Sequence, residues 1–204
     1  MPREWDGVIS QLINRKFSRP TARLLATHTK ATPNQITILS FLVGVASGLF
    51  FCNHPLIGGL LAQISSILDG VDGDLAVFSR QTSSFGGFLD SVLDRYADAA
   101  ILIGMTCHVF SKQGVVTSML VGVAALAGSF LVSYSRTRAK NDLGVVFKSG
   151  ISGYAANRDV RLFIVMLGGI FGQVFVSLIV LAVLTNLVVV TRMWNLYVHP
   201  GDKP

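Results

Sequence analysis

The chain has 204 residues, of which 51% are hydrophobic and 14% charged, and its formal net charge is +6. A soluble domain carries about 25% charged residues, so this composition, with a mean hydropathy of +0.58, excludes an ordinary soluble globule and leaves room for one membrane domain. The basic balance suits an anionic membrane surface; because the basic residues flank apolar runs, as topology signals do, nucleic acid is not an expected partner.

Met1 to Trp5 are polar and lead into no apolar core, so no secretory signal peptide is expected. Residues 1–31 read as a juxtamembrane segment. Within it, Asp6 to Leu25 fits an amphipathic interfacial helix: Val8, Ile9, Leu12, Ile13 and Phe17 recur near helical spacing, and Arg15, Lys16, Arg19 and Arg23 supply a basic face. Pro20 is expected to kink or divide it. Residues 32–204 read as the membrane domain. Thr32 caps the first span and Pro33 takes its first turn, where no backbone N–H is needed; Ile36 to Cys52 is the span itself. After Asn53-His54-Pro55, Leu56 to Leu68 forms a second span that is short for a bilayer. Its continuation, Asp69 to Ala76, has to line a polar cavity instead of touching lipid.

Gln81 to Ser84 breaks the chain, and a third helix runs from Ser84 to Phe110. Ser111 to Gly114 turns into a fourth span, Val115 to Tyr134, followed by a polar, basic stretch from Arg136 to Arg161. The last apolar run divides at Gly172-Gln173 into a fifth helix (Ala155 to Phe171) and a sixth (Val174 to Trp194), one long tilted helix being the alternative. The expected fold is therefore an all-α integral membrane protein with six transmembrane helices preceded by an amphipathic interfacial helix. Lys and Arg gather before the first span, around Arg80, between the fourth and fifth spans and at Arg192, while the opposite loops hold only Lys112. By the positive-inside rule both termini and the acidic motif face the cytoplasm. Cys52 and Cys107 read as structural, Tyr134 and Trp194 as interfacial anchors. Gly44, Gly48 and Gly122 suit close helix packing, in a homodimer as well as within the chain. The histidines, His28, His54, His108 and His199, have no partner at ligand spacing.

Six of the eleven acidic residues lie between Asp69 and Asp98. Ionisable groups at membrane depth are costly and mark function. On helices, Asp69 and Asp72 (i, i+3) and Asp90 and Asp94 (i, i+4) each share a face, and two antiparallel helices can bring the pairs together. Four carboxylates in low dielectric repel one another and call for one or two Mg²⁺, Mn²⁺ or Ca²⁺ ions, which take hard oxygen ligands and can polarise a phosphorus under attack. Gly70, Gly73, Gly86 and Gly87 let helices and a ligand approach closely. Asp74 and Asp98 read as supporting or structural, Asp98 with Arg95 or another cation as partner.

The series Asp69-x2-Asp72-Gly73-x2-Ala76-Val77-x8-Gly86-x3-Asp90-x3-Asp94 resembles the signature of the CDP-alcohol phosphotransferases, also called the CDP-alcohol phosphatidyltransferase family. The resemblance extends to Thr32-Pro33-Asn34 and the six-span plan. It implies attack of an acceptor hydroxyl on the β-phosphorus of a CDP-alcohol with release of CMP. It further implies Asp69, Asp72 and Asp90 as metal ligands, and Asp94 as the catalytic base that also touches metal. Asp69, Asp72, Gly73, Ala76, Gly86 and Asp90 would form the CDP-alcohol site. The family carries Arg where this chain has Val77; Arg80, one helical turn later, is the candidate replacement. Asp6 to Ser10, Asn14-Arg15-Lys16 and Asp72-Gly73-Asp74 are also similar to the membrane half of di-myo-inositol-phosphate-phosphate synthases.

Arg136, Arg158 and Arg161 supply the acceptor argument. Arg158 and Arg161 share a helix face and precede Leu162-Phe163-Ile164, so they are expected to enter the polar cavity, where bidentate hydrogen bonding suits a phosphate. A phosphorylated acceptor of the inositol phosphate or glycerol phosphate type follows. Arg138, Lys140 and Lys148 read as topology signals. Two other classes compete: an intramembrane prenyltransferase, which also holds Mg²⁺-diphosphate on Asp-rich motifs, and a cation transporter. Release of CMP separates the first reading from both.

Overall fold

The computed structural model describes residues 10–147, 153 and 155–198. Every element among them is helical. A π-helical turn, Ser10–Asn14, leads into α1 (Arg15–His28), followed by α2 (Pro33–Phe51), α3 (Pro55–Phe78), α4 (Ser84–Gln113), α5 (Val115–Leu143), α6 (Arg158–Ile170) and α7 (Val174–Val198). Three of these, α2, α5 and α7, are long and apolar enough to cross a membrane by length and composition. The other long helices, α3 and α4, carry the acidic residues that dilute their hydropathy, and α6 has only 13 residues.

The local chemistry explains most boundaries. Thr32 starts α2 with a full capping box: its hydroxyl accepts from the Gln35 amide, and the Gln35 side chain accepts from the Thr32 amide at 3.0 Å. Ser83 opens α4 by accepting from the Gly86 amide at 3.0 Å. The chain turns at Gly114 (φ 77°) and Gly172 (φ 65°), left-handed conformations that glycine adopts without a Cβ penalty. The break at Gly172 divides the last apolar run into α6 and α7, so a single long helix is excluded.

Several boundaries differ from the sequence reading. Pro20 lies inside α1 without dividing it. Helix α4 runs to Gln113, so only Gly114 makes the turn. Helix α5 continues nine residues past Tyr134, through Arg136, Arg138 and Lys140, because nothing in that stretch breaks it: Arg138 and Asp142 pair at 2.7 Å across one turn. Asp6 to Ile9, Lys148 and His199 lie outside the described residues.

Helix α1 docks on α3 through a face that hydrophobic periodicity does not single out. Its buried residues are Ser18 and Ala22, against Val71 and Leu75 of α3, while Phe17 and Leu24 are exposed. Arg15 belongs to the docked face, not the basic one, because Asp74 draws it inward. The main core joins α2 to α7 through Phe51, Ala62, Ile101, Met105, Ala125, Leu162 and Leu178.

Helices α2 and α4 meet backbone to backbone. A Cβ on Gly104 would lie 1.9 Å from the Gly48 carbonyl oxygen, and one on Gly48 would lie 2.2 Å from that of Ala100. Gly44 abuts Ala97 and Ser65, and Gly122 abuts Thr106, so these glycines serve packing within the chain. Gly104→Val should lower stability by about 2 kcal/mol or more, read from thermal unfolding in detergent. Val116→Ala, at an exposed position, should change it by less than about 0.5 kcal/mol.

Candidate functional site

The site lies where the C-terminal half of α3 meets the N-terminal half of α4. Helical spacing turns Asp69 and Asp72 of α3 toward Asp90 of α4, and one oxygen from each lies within 4.8 Å of the others. Asp72 is held from α2, where Thr37 Oγ1 donates to its Oδ2 at 2.6 Å. Asp90 Oδ1 is buried without a hydrogen-bond partner. An orphaned carboxylate oxygen facing two further carboxylates fits a divalent cation with all-oxygen ligands, such as Mg²⁺, Mn²⁺ or Ca²⁺.

The remaining acidic residues of the stretch are differently engaged. Arg158, at the start of α6, places one guanidinium nitrogen 2.9 Å from Asp69 and 3.0 Å from Asp94, and its Nε donates to Asp98 at 3.3 Å. The first two contacts are held by charge and lack directed hydrogen-bond geometry. Asp94 therefore stands beside the three-carboxylate group with an arginine against it, and Arg95 is 3.9 Å away. Asp98, 3% exposed at its side chain, pairs with the equally buried Arg161. Asp74 accepts from Arg15 at 2.7 Å and Ser18 at 3.0 Å. So Asp98 ties α4 to α6, and Asp74 ties α1 to α3.

Two cavities meet at the carboxylates. The first, about 380 Å³, runs from Asp72, Gly73 and Asp90 toward Asn34, Ala76 and Gly86. A Cβ on Gly86 would lie 3.1 Å from Asn34 Oδ1, so a side chain there would crowd this wall. The second, about 490 Å³, shares Asp72, Gly73 and Asp90 but opens toward Asn14, Arg15, Arg136 and Arg158. The first cavity is thus walled by small residues, and the second brings three arginines beside the carboxylates.

The structure brings Asp69, Asp72 and Asp90 together; Asp72, Gly73, Ala76, Gly86 and Asp90 line the first cavity, and Asp69 lines the second. Arg136 and Arg158 line the second cavity. Arg161 does not; it is bonded to Asp98 and to the Ala156 carbonyl, at 3.0 Å from the latter. Arg80 follows α3 in a left-handed turn (φ 55°) and is not among the residues lining the first cavity, although Val77, Gln81 and Thr82 are. Residues that the sequence reading passed over include Thr37, Asn34 and Arg192. Thr37 and Asn34 carried only their place in the first turns of α2. Arg192 looked like a topology signal, yet it is buried, donating to the Val132 carbonyl at 2.6 Å and to Ser135 at 3.0 Å with its guanidinium over Phe147.

Residues 30–197 match the CDP-alcohol phosphatidyltransferase family. The chain is 39% identical over 201 residues to a bifunctional IPC transferase and DIPP synthase of Aquifex aeolicus, covering 97% of this chain and 46% of that protein. The chain thus spans less than half the length of this relative. It is 33% identical over 186 residues to the archaetidylinositol phosphate synthase of Pyrococcus horikoshii, covering 90% of this chain and 94% of the other. Among solved structures, it is similar to the phosphatidylinositol phosphate synthase of Mycobacterium tuberculosis with CDP-DAG bound. The TM-score is 0.76 at 25% identity, over 91% of this chain and 96% of that one. The same synthase has been solved with manganese and citrate, and at 26% identity the TM-score is again 0.76, over 90% of each chain. With its carboxylates at the junction of two cavities, this membrane chain belongs to the CDP-alcohol phosphatidyltransferase family.

Proposed function

We propose that the chain transfers a phosphoalcohol group from a CDP-alcohol to the hydroxyl of a phosphorylated acceptor and releases CMP. The observation that carries this reading is the position of Asp69, Asp72 and Asp90 between a small-residue cavity and a cationic one. A donor diphosphate and an acceptor phosphate need those two environments on opposite sides of one reacting centre. The relatives named as inositol phosphate synthases support an acceptor of the inositol phosphate type, with glycerol phosphate as the alternative.

Asp69, Asp72 and Asp90, with Asp94 beside them, would hold one or two divalent ions, which supply positive charge to a diphosphate. Gly73, Ala76 and Gly86 leave room for the cytidine end of the donor, and Thr37 holds Asp72 in place. Arg136 and Arg158 face the acceptor's phosphate, while Arg161 keeps Asp98, and through it Arg158, in position. Asp94 takes the proton of the attacking hydroxyl. The acceptor oxygen then bonds to the β-phosphorus, the bond from that phosphorus to the bridging oxygen breaks, and CMP leaves with the bridging oxygen. Positioning and charge neutralisation dominate such transfers.

The same reading takes α2 to α7 as six spans and α1 as an interfacial helix, with both termini and the site on the cytoplasmic side. The exposed Phe17 and Leu24 and the basic Lys16, Arg19 and Arg23 of α1 support the interfacial placement. An apolar groove of about 200 Å³ between α4 and α5, lined by Ile103, Phe110, Met119 and Val123, suits association into a homodimer.

Purified protein incubated in detergent with a panel of CDP-alcohols and phosphorylated acceptors should release CMP. Activity should vanish after exhaustive chelation and return with Mg²⁺ or Mn²⁺; CMP release undiminished by chelation would overturn the metal assignment. Asp94→Asn should slow CMP release by a factor of about 10² to 10⁴, and an unchanged rate would remove Asp94 from the base role. Asp98→Asn should cost about 3 kcal/mol of stability, because it leaves the buried Arg161 guanidinium without its carboxylate. Asp142→Asn, at an exposed pair, should cost less than about 0.5 kcal/mol in the same thermal unfolding assay.

A further inference from the structure

The start of α1 and the turn before it dock through polar bonds, ahead of the apolar contact at Ala22. Asn14, 3% exposed, donates to Ser66 at 2.9 Å and accepts from Gln63 at 2.8 Å. Arg15 and Asp74 form an ion pair at 2.7 Å with side chains 11% and 9% exposed, and Ser18 donates to the other oxygen of Asp74 at 3.0 Å. A basic residue on an interfacial helix ordinarily extends its charge toward headgroups or water. Arg15 instead lies inward, against α3, and lines the second cavity.

Asp74 is not among the residues lining that cavity; Arg15, Arg136 and Arg158 are. Three arginines, from α1, α5 and α6, thus line one volume beside Asp69, Asp72 and Asp90, while among the described residues none lines the first cavity. Asp159 also lines the second cavity, and its carboxylate accepts the Ser10 amide at 2.8 Å. A guanidinium offers five N–H donors in a planar fork, so a carboxylate can orient it while its other donors serve a ligand. A phosphate monoester, with several anionic oxygens to satisfy, matches such a set.

We propose that Arg15 binds the acceptor's phosphate as a third arginine, and that Asp74 is the residue that positions it. This rests on the reading that the second cavity receives a phosphorylated acceptor. It gives the N-terminal segment a direct part in acceptor recognition, and it gives Asp74 a role in the acidic stretch that is separate from the metal-ligand set.

The test compares the parent protein with Arg15→Gln, Arg15→Lys and Asp74→Asn, measuring CMP release against acceptor and donor concentration and the inhibition constant of inorganic phosphate. Arg15→Gln should raise the acceptor KM about tenfold or more, leave the donor KM and the rate at saturating acceptor within about twofold, and weaken phosphate inhibition in parallel. Arg15→Lys should fall between it and the parent, and Asp74→Asn should move the same parameters by a smaller factor. An acceptor KM and phosphate inhibition that stay at parent values would overturn the proposal. So would donor and acceptor KM rising together with a lowered unfolding midpoint, which would make the pair a brace for α1 alone. If Arg15→Gln does not fold, Arg15→Lys and Asp74→Asn decide by the same criteria. If the parent releases no CMP with any pair of substrates, the transfer reading fails separately. Calorimetric binding of inorganic phosphate then decides for Arg15: weaker binding in Arg15→Gln supports it, and equal binding overturns it.

Discussion

Excess negative charge in an apolar bundle is the constraint from which the architecture follows. Asp69, Asp94 and Asp98 are brought together by two helices that also have to be packed in a medium hostile to charge. Arg158 touches all three and comes from a different part of the chain. That single side chain explains why α6 begins where it does, with its first turn inside the bundle. It also explains why Arg161, one turn on, is spent on Asp98: the guanidinium that neutralises the site needs a neighbour that is itself fixed.

The arrangement separates two kinds of work. Asp69, Asp72 and Asp90, whose carboxylate oxygens gather within 4.8 Å of one another, stand at the centre. Carboxylates that are matched by arginines, Asp74 and Asp98, stand outside it and hold helices in register. Among the described residues the two cavities share Asp72, Gly73 and Asp90, so they meet at the carboxylates. Reaction between two bound molecules gains most from such enforced geometry.

The central carboxylates were legible in the sequence because helical periodicity converts a spacing of three or four residues into a shared face. The capping of α2 by Thr32 and the break at Gly172 were legible for a similar reason, since both are decided by residues within one turn. Partner choice was not. Asp98 lies 63 residues from Arg161 and Asp74 59 from Arg15, and no local pattern announces either pairing. The docking face of α1 escaped because it is made of Asn14, Ser18 and Ala22, small or polar residues that hydrophobic periodicity passes over. The extension of α5 escaped because apolar composition marks where a span ends and not where its helix ends; Arg138 and Asp142 continue the helix as a pair one turn apart.

The contact of α2 with α4 has a mechanical consequence. Where Gly48 and Gly104 meet there are no side chains to compress, so the two helices share a hinge point without slack. From Gly104 to Asp90 is 14 residues, or about 21 Å of helix. Thr37 on α2 and Gly86 and Asp90 on α4 therefore sit at the ends of long arms. A change of about 5° in crossing angle displaces those arm ends by about 2 Å, roughly the length of one bond to a divalent cation. The width of the first cavity thus depends on a contact far from it, between two residues that have no functional group.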